Sequence, residues 1–277
     1  MTTLFIFGLG YSASVIAEQA RALGWQVTGT GRHAPLSFDD EPAVRAALAA
    51  SSHILSSAPP ASDSGAGGTG ADPVLTRYGD ALGGDALQGP APWLGYLSST
   101  GVYGDTQGAW VDETAAIGTG RRTARAEADA AWAAQGARIF RLPGIYGPGR
   151  SALDKVRAGQ AHRITPAPNQ LFSRVHVADI AAGVFAALTG DAPPGAYNLA
   201  DDLPCHQNAV IEEACRLLRL PPPPLQTLEE AALSPMARAF YAESRRVANG
   251  KAKRVLGWQP RYPSFAEGLA AILAAES

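Results

Sequence analysis

A glycine turn between an apolar stretch and a helical pattern constrains this chain more than any other feature. Residues 4–7 are apolar, residues 8–13 read G-L-G-Y-S-A, and residues 15–23 place apolar side chains on one helical face. Residues 25–30 then predict a second strand. This order of strand, turn, helix and strand is the βαβ unit that opens a dinucleotide-binding fold.

The turn has the pattern G-x-G-x-x-A, and each of its residues has a predicted part in holding a pyrophosphate. Gly8 allows the tight turn, Gly10 lets the backbone approach the phosphates, and Ala13 lets the helix pack closely on the strand. The free N–H groups where the helix starts, at Tyr11 and Ser12, would face the phosphates. The alternative is a turn that only joins a strand to a helix.

The end of the second predicted strand indicates which dinucleotide is preferred. NAD sites place an acidic residue near this point to bond the ribose 2′-hydroxyl, whereas an arginine accommodates the 2′-phosphate of NADP. No acidic residue lies between Trp25 and Phe38, and Arg32 directly follows the strand. The sequence therefore favours NADP over NAD, the alternative being that Arg32 is an ordinary surface arginine.

Bulk properties exclude several classes of partner. The chain has 277 residues and a formal net charge of −2, which gives no reason to expect nucleic acid or an anionic membrane surface. No apolar run approaches the ~20 residues that span a bilayer, and no basic leader precedes the first strand. We therefore expect a cytoplasmic protein. Cys205 and Cys215 are not at metal-ligand spacing, so we expect reduced thiols and no metal.

Strands that alternate with helices predict an α/β fold, a Rossmann-like doubly wound parallel sheet with a small C-terminal substrate lobe. Further strands are predicted over residues 36–38 (short), 53–57, 93–98 and 137–142. Helices are predicted over residues 41–50, 73–82, 121–135, 207–218 and 264–274. The strand over residues 53–57 ends at the carboxyl edge of the sheet, so Ser57, Ala58 and Pro59 are predicted to lie beside the dinucleotide.

The predicted NAD(P)-binding domain covers residues 1–150, and residues 171–190 return to it as a strand followed by a helix. Residues 151–170 and 191–277, where short elements and proline dominate, form the predicted small lobe. The substrate cleft is expected between the two lobes, where ligand sites usually lie.

Five segments, taken with the glycine turn, resemble the extended short-chain dehydrogenase/reductases, the NAD-dependent epimerase/dehydratase family. The segments are L-S-S-T-G-V-Y-G-D at 97–105, F-R-L-P-G-I-Y-G-P-G at 140–149, V-H-V-A-D-I-A at 175–181, Y-N-L-A at 197–200 and L-G-W at 256–258. Each is weak to moderate alone, but their order covers essentially the whole chain. The resemblance leaves a homodimer open, because many relatives pair through a helix bundle.

The resemblance implies roles for single residues. Ser99 falls where the family's catalytic Ser or Thr bonds the substrate oxygen that gains or loses charge. Pro143 and its neighbour Gly144 match positions that line the nicotinamide, and Arg174 and His176 match positions near the cleft. Dehydratases carry an acid pair at the two positions after Ser99, which here are Thr and Gly, so the dehydratase subtype is not supported.

The family's proton donor, a Tyr with Lys four residues later, is missing. Counting back from residues 126–127 places the pair at Thr119 and Thr123, and no tyrosine of the chain has lysine at the fourth following position. The first glycine of the family's G-G-x-G pattern is also replaced, by Phe7. The chain thus resembles an atypical member that has lost or moved the proton relay.

Tyr103 and Tyr146 are the predicted catalytic replacements for the missing tyrosine, and Tyr241 is a further candidate. The alternative makes each of them a packing residue. General acid–base catalysis contributes roughly 10²–10⁴-fold, so its loss would cripple the reaction unless another group substitutes.

Two functions follow from these observations. The first is an NADP-dependent oxidoreductase or epimerase that acts on a carbonyl or hydroxyl of a small polar substrate, such as a sugar or nucleotide sugar, through a non-standard proton relay. The second is a catalytically silent NADP-binding sensor or scaffold. The absence of the Tyr–Lys pair favours the second, whereas the Ser99 loop and the small lobe favour the first.

Overall fold

A computed structural model describes residues 1–61, 71–83, 91–118, 123–165, 167, 170–234, 238 and 241–276. The strands are β1 Thr3–Phe7, β2 Gln26–Thr30, β3 His53–Ser56, β4 Trp93–Ser99, β5 Trp110–Val111, β6 Arg138–Leu142, β7 Gly144–Tyr146, β8 Arg163–Ile164, β9 Arg174–His176, β10 Gly195–Asn198, β11 Leu225–Gln226 and β12 Arg246–Val247. The helices are α1 Tyr11–Ala22, α2 Glu41–Ala49, α3 Pro73–Tyr78, α4 Thr123–Ala134, α5 Ala152–Arg157, α6 Val177–Thr189, α7 Gln207–Leu218, α8 Gly250–Leu256 and α9 Phe265–Ala274.

Six parallel strands form the central sheet in the order β10-β6-β4-β3-β1-β2. β1 lies between β2 and β3, and Phe7 at its end is in register with Thr30 on one side and Ser56 on the other. The strand order therefore reverses at β1, which is where open parallel sheets bind ligands, at the carboxyl ends of the strands. The predicted doubly wound α/β fold is confirmed.

Helices cover both faces of this sheet because its buried strands present apolar side chains on both sides. Leu4 and Ile6 of β1 pack with the apolar faces of α1 and α6. Phe5 and Phe7 of the same strand point to the opposite face, where α2, α3 and α4 pack. The alternation along one strand thus produces the two cores.

The short strand predicted over residues 36–38 does not form. Leu36 makes a single bridge to Thr30, and the chain then turns into α2. Asp40 caps that helix by accepting a hydrogen bond from the backbone N–H of Ala43, while Phe38 packs edge-on against Tyr78. Pro35 has no N–H group to donate to a neighbouring strand, and α2 is already capped at Asp40. Too few residues remain between them to form a strand.

The small lobe has a core of its own, formed by α5, α7 and α9 and including Leu153, Ile211 and Leu269. Its boundary differs from the predicted one, because β10 pairs with β6 in the main sheet. The helix α8 also packs on α6 and β10. Residues 195–198 and 250–256 therefore belong to the main domain. No helix within the described ranges is long and apolar enough to cross a bilayer.

Candidate functional site

A cavity of about 1240 Å³ runs along the carboxyl edge of the sheet toward the small lobe. Its walls include residues 10–12 at the start of α1, residues 97–101 at the end of β4, residues 142–146 after β6, and residues 172–174 beside β9. Ligand pockets usually measure roughly 300–1,000 Å³. This cavity therefore has room for a cofactor and a substrate together.

The glycine turn closes one end of the cavity and is fixed by its neighbours on both sides. Gly8 has φ +82°, and a Cβ built there would come within 3.0 Å of the Ala58 backbone nitrogen. The N–H groups of Gly8 and Leu9 both donate to the carbonyl of Thr30, at 3.0 and 2.8 Å. Only glycine combines this backbone conformation with so close an approach.

The start of α1 satisfies the requirements of an anion site. Gly10 is the N-cap and offers no side-chain hydrogen bond, and the first turn of the helix contains no acidic residue. A Cβ built on Gly10 would meet only the Gly8 carbonyl oxygen, at 3.9 Å, so space is open above the turn. Unbonded N–H groups and the helix dipole attract phosphate at such a position. The residues present therefore fit a pyrophosphate.

The structure divides the predicted cofactor residues into two groups. Gly10, Tyr11, Ser12, Ser57 and Pro143 line the cavity. The other five predicted residues are not among its lining residues.

Two of those five, Gly8 and Ala58, lie close together where the backbone after β3 packs against the turn. Ala13 is fully buried in the core beneath α1, which is the packing position the motif requires. Pro59 is exposed. Arg32 is also exposed, and it forms no ion pair within the part of the chain that the structure describes.

Ser99 lines the cavity at the end of β4 and caps the 3-10 turn that follows it, Thr100–Tyr103. Its Oγ accepts a hydrogen bond from the Gly101 N–H at 3.1 Å. Because Oγ accepts in this bond, the hydroxyl proton remains available to a ligand in the cavity. The guanidinium of Arg245 donates to the Thr100 carbonyl at 3.2 Å and holds the turn from the other side.

A buried polar network lies directly beneath this turn. The Asp129 carboxylate accepts two hydrogen bonds from the Arg141 guanidinium, at 2.8 and 3.0 Å, and one from the Ser98 hydroxyl at 2.6 Å. Arg141 also donates to the Tyr103 hydroxyl at 3.0 Å, which in turn donates to Asn198 at 2.8 Å. The network fixes the strand that carries Ser99.

Tyr103, one of the predicted catalytic residues, lies behind the cavity wall. Its side chain is 2% exposed and does not line the cavity, and its hydroxyl serves the buried network. Burial raises its pKa, which opposes loss of the proton. In this structure the Tyr103 hydroxyl contributes to the support of the turn.

The hydroxyl of Tyr146, the other predicted catalytic tyrosine, is directed toward α9. The ring lines the cavity, but the hydroxyl donates to the Ser264 carbonyl at 3.3 Å and lies against Gly268. Burial raises the pKa of Tyr146. Tyr241 also lines the cavity and packs edge-on against Phe172, and burial raises its pKa too.

Arg174 and His176, which the resemblance places near the cleft, have different positions. Arg174 lines the cavity although it is almost fully buried. His176 does not line it. Its Nδ1 accepts a hydrogen bond from the Ala178 N–H at the start of α6, and its ring packs against Tyr146 and Tyr262. Burial lowers the pKa of His176 to about 4, so the ring is neutral near pH 7.

Comparison with known proteins agrees with the fold. No family model matches the chain. The solved structure of a functionally unknown conserved protein from Silicibacter pomeroyi DSS is 39% identical, with a TM-score of 0.85 over 99% of each chain. The chain belongs to the family of that protein. The human epimerase family protein SDR39U1, solved with NADPH, has a TM-score of 0.73 at 16% identity, again over 99% of each chain.

A curated relative, the 3-diazoavenalumate denitrifying reductase of Streptomyces sp, is 32% identical over 144 residues. The match covers 47% of this chain and 45% of the relative, so the chain spans about half the length of the curated relative that it matches. Other solved structures with this fold are named as epimerases and dehydratases. The predicted resemblance to the NAD-dependent epimerase/dehydratases is confirmed at the level of the fold.

Close to the epimerase/dehydratase family's Tyr and Lys positions, a different cation lines the cavity. Thr119 lies outside the described residues, and Thr123 is the exposed first residue of α4. Arg125, two residues later, lines the cavity and donates to the Tyr96 hydroxyl at 2.8 Å. Sequence reasoning missed Arg125. No local pattern marks it, because its partner Tyr96 lies 29 residues away in the sequence.

Proposed function

We propose that the chain is an NADP-dependent oxidoreductase of the epimerase/dehydratase type, acting on a carbonyl or hydroxyl group of a small polar substrate. One observation carries the proposal: the uncapped start of α1 and the Ser99 hydroxyl border the same cavity. The solved complex of SDR39U1 with NADPH supports the choice of cofactor class. The reductase name of the Streptomyces relative supports the class of reaction.

Three parts of the chain would hold the cofactor. The N–H groups of Tyr11 and Ser12 and the open space at Gly10 suit the pyrophosphate. Arg32, exposed after β2, would bind the 2′-phosphate of NADP. Pro143 would lie against the nicotinamide. When bound, the cofactor supplies or accepts a hydride at the nicotinamide C4.

Ser99 would hold the reacting oxygen of the substrate. Its Oγ accepts from the Gly101 N–H, which leaves its proton free to be donated to the substrate carbonyl. A hydrogen bond to an oxygen that gains negative charge in the transition state lowers the barrier. Arg125 adds a permanent positive charge to the same wall of the cavity.

The proton of the reaction would come from water in the cavity. Tyr103 and Tyr146 have hydroxyls committed to Asn198 and Ser264, and burial raises the pKa of both. A water relay is slower than a placed tyrosine. We therefore expect modest turnover that is nevertheless dependent on Ser99.

The test compares Ser99→Ala with the control Ser51→Ala, which removes a hydroxyl at the end of α2 that bonds the Ala47 carbonyl. NADPH affinity is measured by fluorescence, and NADPH oxidation is followed with a panel of small polar aldehydes and ketones. We expect Ser99→Ala to bind NADPH normally and to lose about 10²-fold in turnover, and Ser51→Ala to lose neither.

The outcomes separate the candidate functions. Absence of NADPH binding would contradict the cofactor assignment. Normal NADPH binding with no turnover of any carbonyl compound would favour the silent binder instead. Turnover that does not change in Ser99→Ala would refute the role of Ser99.

A further inference from the structure

Two arginines in this fold are equally buried but differ in what neutralises them. Arg141 and Arg174 are each 6% exposed. Arg141 pairs with the Asp129 carboxylate. Arg174 donates only to neutral groups, the Phe172 carbonyl at 2.9 Å, the Cys205 sulfur at 3.1 Å and the Gln207 side-chain oxygen at 2.8 Å. Among the described residues, no carboxylate lies within ion-pair distance of its guanidinium.

A buried cation without a counter-charge is costly, and proteins rarely retain one unless it meets an anion. Arg174 lines the cavity, so a ligand in the cavity can reach this residue. Its three hydrogen bonds use three of the five N–H groups of a guanidinium. Two N–H groups of Arg174 remain without a partner among the described residues. A carboxylate, with its two acceptor oxygens, suits such a pair of donors.

The register of β7 and β9 places Arg174 close to the reacting groups. Arg174 lies opposite Gly144 in this parallel pair, and Gly144 directly follows Pro143, the predicted wall of the nicotinamide site. A Cβ built on Gly144 would lie 3.5 Å from Cγ of Arg174. The aliphatic part of the arginine therefore runs over Gly144.

A second path connects Arg174 to Ser99. Phe172, whose carbonyl accepts from Arg174, forms a bridge with Arg245. Arg245 donates to the carbonyl of Thr100, the residue after Ser99. The guanidinium and the serine hydroxyl thus belong to neighbouring walls of one cavity.

Further groups of the small lobe that can donate to an anion border the same cavity. The helix α7 starts at Gln207, and its N-terminus has no side-chain cap and no acidic residue in the first turn. Lys155 and His162 line the cavity from the same lobe. The acidic lining residues here are engaged elsewhere: Asp154 accepts from Ser151 and Glu243 pairs with Arg245. The lining carboxylates are therefore engaged. Asp201, which is not among the lining residues, accepts a hydrogen bond from the Arg174 backbone N–H, and burial raises its pKa to about 7, which favours its neutral form.

We propose that Arg174 anchors a carboxylate group of the substrate, so that the substrate class is small acids bearing a carbonyl or hydroxyl group. This inference rests on the proposed function, because it assumes that Ser99 marks the reacting end of the substrate. Arg174 then fixes the other end and sets the distance between the acid group and the reacting carbon.

The experiment uses a matched pair of probes, 4-carboxybenzaldehyde and its uncharged methyl ester, methyl 4-formylbenzoate. A third probe, 4-formylphenyl phosphate, tests whether a phosphate is preferred to a carboxylate. Binding is measured by calorimetry on the whole protein, both free of nucleotide and saturated with NADP⁺, which has no hydride to give to an aldehyde. NADP⁺ affinity is measured separately in every variant.

The variants are Arg174→Gln, Arg174→Lys and the control Arg163→Gln, which removes a half-buried arginine of the same lobe that pairs with Glu212 outside the cavity. We expect the wild type to bind the acid roughly ten- to a hundredfold more tightly than the ester. Arg174→Gln should abolish this preference and Arg163→Gln should keep it. Arg174→Lys, which retains the charge without the fork, should keep part of it.

Each failure has a distinct meaning. If NADP⁺ does not bind, the proposed function fails. If NADP⁺ binds but the wild type does not prefer the acid to the ester, the anchor is refuted alone. A preference that survives in Arg174→Gln, or tighter binding of the phosphate than of the carboxylate, also overturns it. If Arg174→Gln does not fold, Arg174→Lys decides the question. A reduced or lost preference for the acid in Arg174→Lys supports the guanidinium fork as the anchor, and a fully retained preference refutes it.

Discussion

The two ends of the cavity are built by opposite means. At the α1 end the proposed binding groups are backbone N–H groups, and Gly8 and Gly10 make room for them. At the small-lobe end they are side chains, above all the buried guanidinium of Arg174. The first end is made by one contiguous stretch of chain. The second is assembled from segments far apart in sequence.

Because of this difference, the two ends tolerate different kinds of substitution. A site made of backbone accepts many side-chain changes but fails when a glycine gains a Cβ. A site made of buried cations fails when a charge is removed or a neighbouring carboxyl ionises. The junction between the two ends is the turn that carries Ser99, which the Asp129–Arg141 network supports.

The largest expected effect is at this junction. Asp129→Asn leaves Arg141 buried without its counter-charge, so the free energy of unfolding should fall by about 3–5 kcal/mol. The control Glu213→Gln breaks the exposed pair with Arg216 and should cost less than about 1 kcal/mol. Urea unfolding of both variants measures the difference. Equal small losses would show that the network does not support the turn.

The second prediction concerns substitutions that disturb only the α1 end of the cavity. Gly8 and Gly24 have nearly equal φ values, +82° and +79°. A Cβ built on Gly8 would lie 3.0 Å from the Ala58 nitrogen, whereas a Cβ built on Gly24 would meet no atom within 4 Å. Gly24→Ala should cost only backbone strain of about 1 kcal/mol and leave NADPH affinity unchanged. Gly8→Ala should weaken NADPH binding more than tenfold, as a fluorescence titration would measure. Equal affinities in the two variants would contradict the assigned role of the turn.

The third prediction concerns the side-chain end and its dependence on pH. The Asp201 carboxylate accepts a hydrogen bond from the Arg174 backbone N–H at 3.2 Å, and burial raises the pKa of Asp201 from 3.8 to about 7. The folded state therefore holds this proton more tightly than the unfolded state. The stabilisation that comes from protonated Asp201 is complete below about pH 4 and is lost as the pH rises through about 7.

Asp201→Asn should therefore gain thermal stability relative to the wild type as the pH rises over this range. The difference between the two Tm values, measured at each pH, isolates Asp201 from the opposite trend of His176, whose pKa burial lowers to about 4. The exposed residue Asp191 gives the control Asp191→Asn, for which the difference should stay constant. A Tm difference for Asp201→Asn that does not change with pH would refute the buried, protonated state.

The smallest expected effect sharpens the choice of cofactor. Arg32 is exposed, so its contact with a 2′-phosphate would be partly screened by solvent. Arg32→Ala should weaken NADPH binding by roughly tenfold and leave NADH binding unchanged. Arg21→Ala, an exposed arginine in the last turn of α1, should change neither affinity. If Arg32→Ala does not alter the ratio of the two affinities, the preference for NADP has another origin or does not exist.

Most of the fold was predictable because its signals are local. The glycine turn, the alternating strands and helices, α7 and α9 all follow from patterns within about a dozen residues. The strands β5, β7, β8, β11 and β12 have two or three residues each, too few to show a period. The return of β10 to the main sheet was missed because pairing with β6 is a long-range choice.

The site was less predictable because side-chain partners lie far along the chain. The hydroxyls of Tyr103 and Tyr146 meet groups 95 and 118 residues away, at Asn198 and Ser264. Nothing near either tyrosine in the sequence indicates those partners. The neutral hydrogen-bond partners of Arg174 likewise come from two segments, at residue 172 and at residues 205–207, and only folding brings the second segment to Arg174.

A crystal structure with NADPH tests the central claim most directly. We predict the pyrophosphate against the N–H groups of Tyr11 and Ser12, and the nicotinamide against Pro143 with its C4 facing the space beside the Ser99 hydroxyl. A nucleotide bound elsewhere, or a nicotinamide turned away from Ser99, would contradict the account.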